Sequence, residues 1–275
     1  AWGLFGPAAM LLGNSVLHAL RVGLLAPSPA PPLRELVRIA LLGNFFGLVL
    51  PSGGGEAVKV VLLAPRVGGV EPALGMLGTV RLFELLPWAL FLVWGALVVL
   101  PGTLPEMVPL AWLAASGMGA ALVVGGLGLR YGDAFAQRLP AAIGVRVHRI
   151  AAVTATRGRL ALCGVLAFPF ALTNVVVVWV ILRAYGVALP MADVLGVVPA
   201  ADVIITLPVT ISGLGVREGL YVHVLAAWRV AEPVALAVAF TRWVAELGRG
   251  SVGGLLFALS RRRPDDVTNS SQTRG

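Results

Sequence analysis

Cysteine is nearly absent. Cys163 is the only one, and it lies in an apolar run, which excludes a disulfide framework and a cysteine-based metal set. Histidine is almost as scarce. His18, His148 and His223 are far apart and show no ligand spacing, so no metal, cofactor or catalytic residue is assigned, and the three are read as interfacial or structural. Charged residues make up 12% of the 275 against 58% hydrophobic, with a mean hydropathy of +0.92. A soluble domain needs far more polar surface. Lysine is reduced to Lys59, so arginine carries almost all of the net charge of +8. These arginines lie mostly between apolar runs, where they suit cytoplasm and anionic headgroups rather than nucleic acid. The chain opens at Ala1 inside an apolar stretch without a basic n-region; this is read as a mature or truncated start and not as a signal peptide.

What is abundant is apolar sequence punctuated by 34 glycines and 19 prolines. Several runs approach or exceed the ~20 residues that cross a bilayer. The expected fold is all-α: a polytopic helical membrane protein. Spans are predicted over residues 2–26, 72–100, 108–129, 160–184 and 233–259, with Arg21 snorkelling to the interface. Residues 101–109 read as a loop. Residues 130–159 form the main hydrophilic connection, rich in arginine, with an interfacial helix over 135–149. A single transmembrane domain fills 1–260, and the polar tail 261–275 is expected to be disordered in the cytoplasm.

Two stretches interrupt this pattern. Val49-Leu-Pro-Ser-Gly-Gly-Gly-Glu56 follows a 15-residue apolar segment, 37–51, and leads into a short helix, 56–64. Ile205-Thr-Leu-Pro-Val-Thr-Ile-Ser-Gly-Leu-Gly-Val-Arg-Glu-Gly219 follows another, 194–208, and leads into a helix over 216–228. Proline cannot continue a helix interior and glycine frees the backbone. At membrane depth such breaks occur where they are buried in protein or line a cavity, and paired short segments point to a transporter site. Glu56 stands 25 residues before Arg81, and Glu218 stands 24 before Arg242. Glu84 and Glu246 lie 28 residues after Glu56 and Glu218. The chain therefore reads as repeat A, 1–100, a linker helix, 108–129, and repeat B, 160–259, each with a re-entrant broken hairpin. With residues 130–159 and the C-terminus cytoplasmic, counting the spans makes the repeats inverted.

The candidate substrate-binding residues follow from these breaks. Glu56 and Glu218 start helices, where a carboxylate also serves simply as dipole and cap compensation. Arg217 opposes the helix dipole, so it needs an internal carboxylate or an anionic ligand. Gly54, Gly55, Gly213 and Gly215, with Ser212, offer freed backbone donors that suit an anion. Arg81 with Glu84 and Arg242 with Glu246 share helix faces inside spans, where ionisable groups usually face an interior or a wet cavity. Structural salt bridges and headgroup binding both account for them. Asn44 and Asp202 lie seven and six residues before Pro51 and Pro208.

Asn44, Leu50-Pro51, Gly55-Glu56, Arg81, Glu84, and above all Ile211-Ser-Gly-Leu-Gly-Val-Arg-Glu-Gly219 resemble the transmembrane domain of lysylphosphatidylglycerol synthases, over about residues 17–259. The resemblance implies an integral cell-membrane, flippase-like domain whose partners are membrane lipids. It does not imply aminoacyl transfer, which belongs to a separate soluble domain. The expected function is translocation of a lipid with an anionic headgroup by alternating access. The alternative is a membrane-embedded transferase, or an accessory subunit with a partner enzyme in lipid or glycan synthesis.

Overall fold

The computed structural model describes residues 2–50, 53–151, 156–206 and 215–260, and these are helical apart from short turns. Pro51, Ser52, the stretch 207–214 and the tail 261–275 lie outside the described residues. Helix α1 runs over Trp2–Leu25, α2 over Leu33–Val49, α3 over Gly54–Val67 and α4 over Val70–Trp94. A π-helical turn, Gly95–Val99, and the four-residue α5, Leu100–Thr103, extend α4; a 3-10 turn, Pro105–Met107, leads into α6, Val108–Ala136. Then come α7 (Ala141–Ala151), α8 (Arg157–Val165), α9 (Ala167–Ala184), α10 (Met191–Thr206), α11 (Val216–Ala226) and α12 (Glu232–Ser260).

Among the described residues, four segments are long and apolar enough to cross a membrane: Phe5–Leu25, Val70–Thr103, Pro105–Gly132 and Arg157–Ala184. They match four of the five predicted spans. The fifth, α12, has 29 residues, about 44 Å at 1.5 Å per residue, but Arg242, Glu246 and Arg249 interrupt its apolar middle.

Three expectations need correction. Residues 101–109 are not an open loop, because α4 carries on through its π turn and α5. The helix after α6 is shorter and later than 135–149; α6 itself continues past Arg130 to Ala136, and α7 starts at Ala141. Arg21 does not snorkel. It is 0% exposed, because three internal acceptors satisfy it, as described below.

Two cores form, one mainly from each half, with Leu11 of α1 joining the second and Cys163 of α8 joining the first. In the N-terminal half Leu25, Leu36, Leu63, Met76 and Val80 join α1–α4. In the C-terminal half Val178, Ile181, Val194, Leu225 and Val238 join α9–α12. The halves then interlock: α1 packs on α9 and α12, α9 packs also on α4, α2 packs on α12, and α10 packs on α4. Lipid tails are as apolar as leucine, so helix association in a membrane depends on close packing, and small residues allow it. Gly253 on α12 lies so near the Leu41 carbonyl of α2 that a Cβ would overlap it. Gly55 lies equally close to Gly43 and Gly47, which lets α3 fold back on α2.

The two breaks end alike. Gly53 has φ 88° immediately before α3, and Gly215 has φ 85° immediately before α11. Only glycine takes that left-handed backbone without penalty. Each break therefore releases its chain into a new helix that packs beside the following one, α3 on α4 and α11 on α12.

Candidate functional site

A cavity of about 490 Å³ lies where the two halves meet, with walls from α1, α2, α3, α4, α9, α10, α11 and α12. Its volume falls in the range of small-molecule sites. Five cations line it, Lys59, Arg81, Arg217, Arg242 and Arg249, against three carboxylates, Glu84, Asp202 and Glu246. Charge is unevenly spread: α11 and α12 contribute three of the arginines, whereas α1 contributes Asn14, Ser15 and His18.

The two span glutamates are each held by two arginines. Glu84 Oε1 accepts from Arg21 Nη1 at 2.8 Å, and its Oε2 accepts from Arg81 Nη1 at 2.7 Å. Glu246 Oε2 accepts from Arg217 Nη1 at 3.1 Å, and its Oε1 from Arg242 Nε at 3.1 Å. Arg21 also donates from Nη2 to the Val80 carbonyl (2.7 Å) and from Nε to the Cys163 carbonyl (3.2 Å). It therefore bolts α1 to α4 and α8. Arg242 Nη1 reaches the Asn174 carbonyl at 2.9 Å and ties α12 to α9.

Each short helix is also tied to its neighbouring long helix by one ion pair, with the charges exchanged between halves. In the first, Glu56 of α3 accepts from Arg81 of α4, and from Lys59 Nζ at 2.9 Å. In the second, Arg217 of α11 donates to Glu246 of α12. The dipole argument for Arg217 is thus met by an internal carboxylate. Glu218 acts as a cap: its Oε2 accepts from the Gly215 amide at 2.6 Å.

The predicted residues divide accordingly. The structure brings Asn44, Arg81, Glu84, Asp202, Arg217, Arg242 and Glu246 to the cavity wall, with Asn44 Nδ2 donating to Ser15 Oγ at 3.1 Å. Gly54, Gly55, Glu56, Gly215 and Glu218 are placed beside it, in helix starts and helix packing. Ser212 and Gly213 lie outside the described residues.

Six polar lining residues were not anticipated as site residues: Asn14, Ser15, His18, Lys59, Asn174 and Arg249. Lys59 is buried, held by Glu56 within its own helix. For those on α1 and α12 the signal is a polar stripe at helical spacing. Asn14, Ser15, His18 and Arg21 recur along one face of α1, and Arg242, Glu246 and Arg249 along one face of α12.

Among the described residues, the buried side-chain polar atoms without a hydrogen-bond partner are Asn14 Oδ1 and Nδ2, His18 Nε2 and Arg249 Nε. All three residues line this cavity. Buried polar atoms are nearly always paired, so their concentration in one place makes this cavity the candidate site.

The chain matches the family described as Lysylphosphatidylglycerol synthase TM region over residues 1–247. It belongs to that family. No curated protein and no solved structure matches it.

Proposed function

We propose that this protein moves a lipid with an anionic headgroup across the membrane, and that the headgroup occupies the cavity between the two halves. The observation that carries this reading is Arg249, a cation on the cavity wall whose buried Nε has no partner. Its nearest acid along the helix, Glu246, already accepts from Arg217 and Arg242. A buried surplus of positive charge is costly unless an anion arrives. A phosphate group, with several acceptor oxygens, supplies one.

The mirrored ion pairs suggest how binding couples to movement. A phosphate that takes Arg217 competes with Glu246, and loosens α11 from α12. A phosphate that takes Arg81 competes with Glu56, and loosens α3 from α4. The headgroup then exchanges one tie for the other, which is alternating access at the level of single guanidinium groups. The reading treats the halves as inverted repeats with re-entrant hairpins. It is supported by the reciprocal packing: α1 on α12 has its counterpart in α9 on α4, and α2 on α12 in α10 on α4.

Movement is tested in proteoliposomes carrying a trace of fluorescent phosphatidylglycerol or phosphatidylcholine. The dye is quenched from outside and the protected fraction followed in time. The expected result is faster loss of protection for phosphatidylglycerol than for phosphatidylcholine. Equal rates would remove the anionic preference, and no acceleration would remove translocation. Chemical turnover of lipid without movement would move the reading to a transferase.

The inverted arrangement is tested by labelling. Cysteine at Gly102 is expected to react only with reagent outside the cell, and cysteine at Arg149 only after the cytoplasm is opened. The asymmetry of arginine between these two connections motivates the expectation. Labelling of both from one side would contradict the inverted repeat.

A further inference from the structure

Three carboxylates line the cavity, and two of them are locked in ion pairs. We infer that the third, Asp202, carries a proton across together with the headgroup, so that a pH gradient drives the movement. This inference rests on the headgroup reading above and adds the ion that powers it.

Glu84 accepts from Arg21 and Arg81, and Glu246 from Arg217 and Arg242. Asp202 stands on the same wall, yet among the described residues no cation lies within ion-pair distance of it. The charged groups that act on it are Arg242 and Glu246 of α12 and Arg217 of α11, with the Tyr221 hydroxyl of α11 also in range. Of the other helices packed on α10, α9 brings the neutral Asn174 to the cavity, α6 brings Met118, and α4 brings Arg81 with Glu84, which hold each other. Asn44 stands at the matching place in the first half, seven residues before Pro51 against six for Asp202 before Pro208. It is an amide and donates to Ser15, so only one of the two halves carries a group that titrates there.

Ionised, Asp202 repels a phosphate held by Arg217 and Arg242. Protonated, it leaves both guanidinium groups to the phosphate, and its O–H becomes a donor. Proton and phosphate therefore strengthen each other's binding, by the same factor in both directions. Glu84 and Glu246 are unsuited to the task, because protonating either strands buried arginines. The step balances simply. The carboxylate takes a proton from water on one side, holds it while the cavity turns, and releases it to water on the other side as the phosphate leaves. No bond in the lipid changes. One negative headgroup and one proton cross together, so the loaded and the empty protein carry the same net charge. The cycle then answers to a pH gradient and not to the membrane potential.

The test uses phosphatidylcholine proteoliposomes with a trace of fluorescent phosphatidylglycerol and a pH difference between lumen and bath. Wild type is expected to accumulate the probe in the leaflet facing the more alkaline side, by up to about ten-fold per pH unit, the limit for one proton per lipid. Nigericin, which collapses the pH gradient, is expected to even out the leaflets. A potential set with valinomycin is expected to change nothing. In detergent, phosphatidylglycerol retained by wild type in native mass spectrometry is expected to fall as pH rises. Asp202→Asn cannot exchange the proton. It is expected to accumulate no probe under the gradient, and to retain phosphatidylglycerol at every pH as wild type does in acid.

An even distribution under the gradient, with phosphatidylglycerol still moving faster than phosphatidylcholine, overturns the proton coupling and leaves the headgroup site standing. So does accumulation that follows the potential. Accumulation that survives in Asp202→Asn overturns the role of Asp202. Where that variant fails to fold, wild type alone decides: adding phosphatidylglycerol to the protein in weakly buffered detergent is expected to draw protons from solution, and no uptake from mildly acid to mildly alkaline pH overturns the proposal. Movement of phosphatidylglycerol no faster than of phosphatidylcholine removes the headgroup reading itself, and the coupling with it.

Discussion

Glutamine in place of Glu84 is expected to lower the unfolding free energy by roughly 3–5 kcal/mol, the usual cost of removing one partner from a buried ion pair. Arg21 is 0% exposed and Glu84 Oε1 is its only carboxylate partner among the described residues. Glutamine leaves the guanidinium charged in a setting that offers it no other anion. The bolt that Arg21 makes between α1, α4 and α8 is then strained by its own charge. Arg81 suffers less: it is 51% exposed at its side chain and retains Glu56. The measurement is thermal unfolding in detergent, with yield from the membrane as a second readout. Changing both partners, Arg21→Met with Glu84→Met, removes the unpaired charge and is expected to recover most of the loss. A Glu84→Gln protein as stable as wild type would mean that Arg21 is not held by this carboxylate.

The same reasoning distinguishes the second half. Glu246 serves two arginines on different helices, so Arg217→Gln still leaves Glu246 paired with Arg242. That variant should fold while freeing α11 from α12. Glu84 thus reads as an anchor of the fold, and the Arg217–Glu246 pair as a tie that a ligand is able to replace.

The sequence displays the spans and both breaks because each rests on local chemistry. Long apolar runs must be helical in lipid, and proline with glycine stops them. It displays Arg81 with Glu84 and Arg242 with Glu246 for the same reason, since each pair is set by one helix turn. What it hides are contacts between distant segments. Arg21 near the end of its span looks like an interfacial residue, and only the packing of α1 against α4 and α8 brings it to Glu84. Arg249 looks like one more arginine near a basic C-terminus, yet its place in the row with Arg242 and Glu246 turns it toward the cavity. Gly55 looks like a donor for an anion, and proves to be the point where α3 touches the backbone of α2. In each case the residue type was visible, and its partner was set by tertiary packing.

Arg249→Gln is expected to slow translocation of phosphatidylglycerol by roughly 10- to 100-fold, the worth of one charge-assisted hydrogen bond to phosphate. The same change should leave stability equal or raise it. Among the described residues no carboxylate pairs with Arg249, and its Nε has no hydrogen-bond partner. Removing its charge breaks no hydrogen bond, and the attraction from Glu246 that is lost is offset by the repulsion from Arg242 and Arg81 that is relieved. This combination separates a ligand-binding cation from a structural one, because Glu84→Gln is expected to lose stability and Arg249→Gln only transport. Arg249→Lys is expected to fall between wild type and glutamine: it keeps a charge but not the planar fork that grips two phosphate oxygens. The checks are initial flipping rates in proteoliposomes at matched protein density and melting temperatures in the same detergent. Wild-type flipping by Arg249→Gln would sink the headgroup site. A loss of stability as large as that of Glu84→Gln would show instead that Arg249 has an internal partner, and that the cavity holds its charges for the sake of the fold.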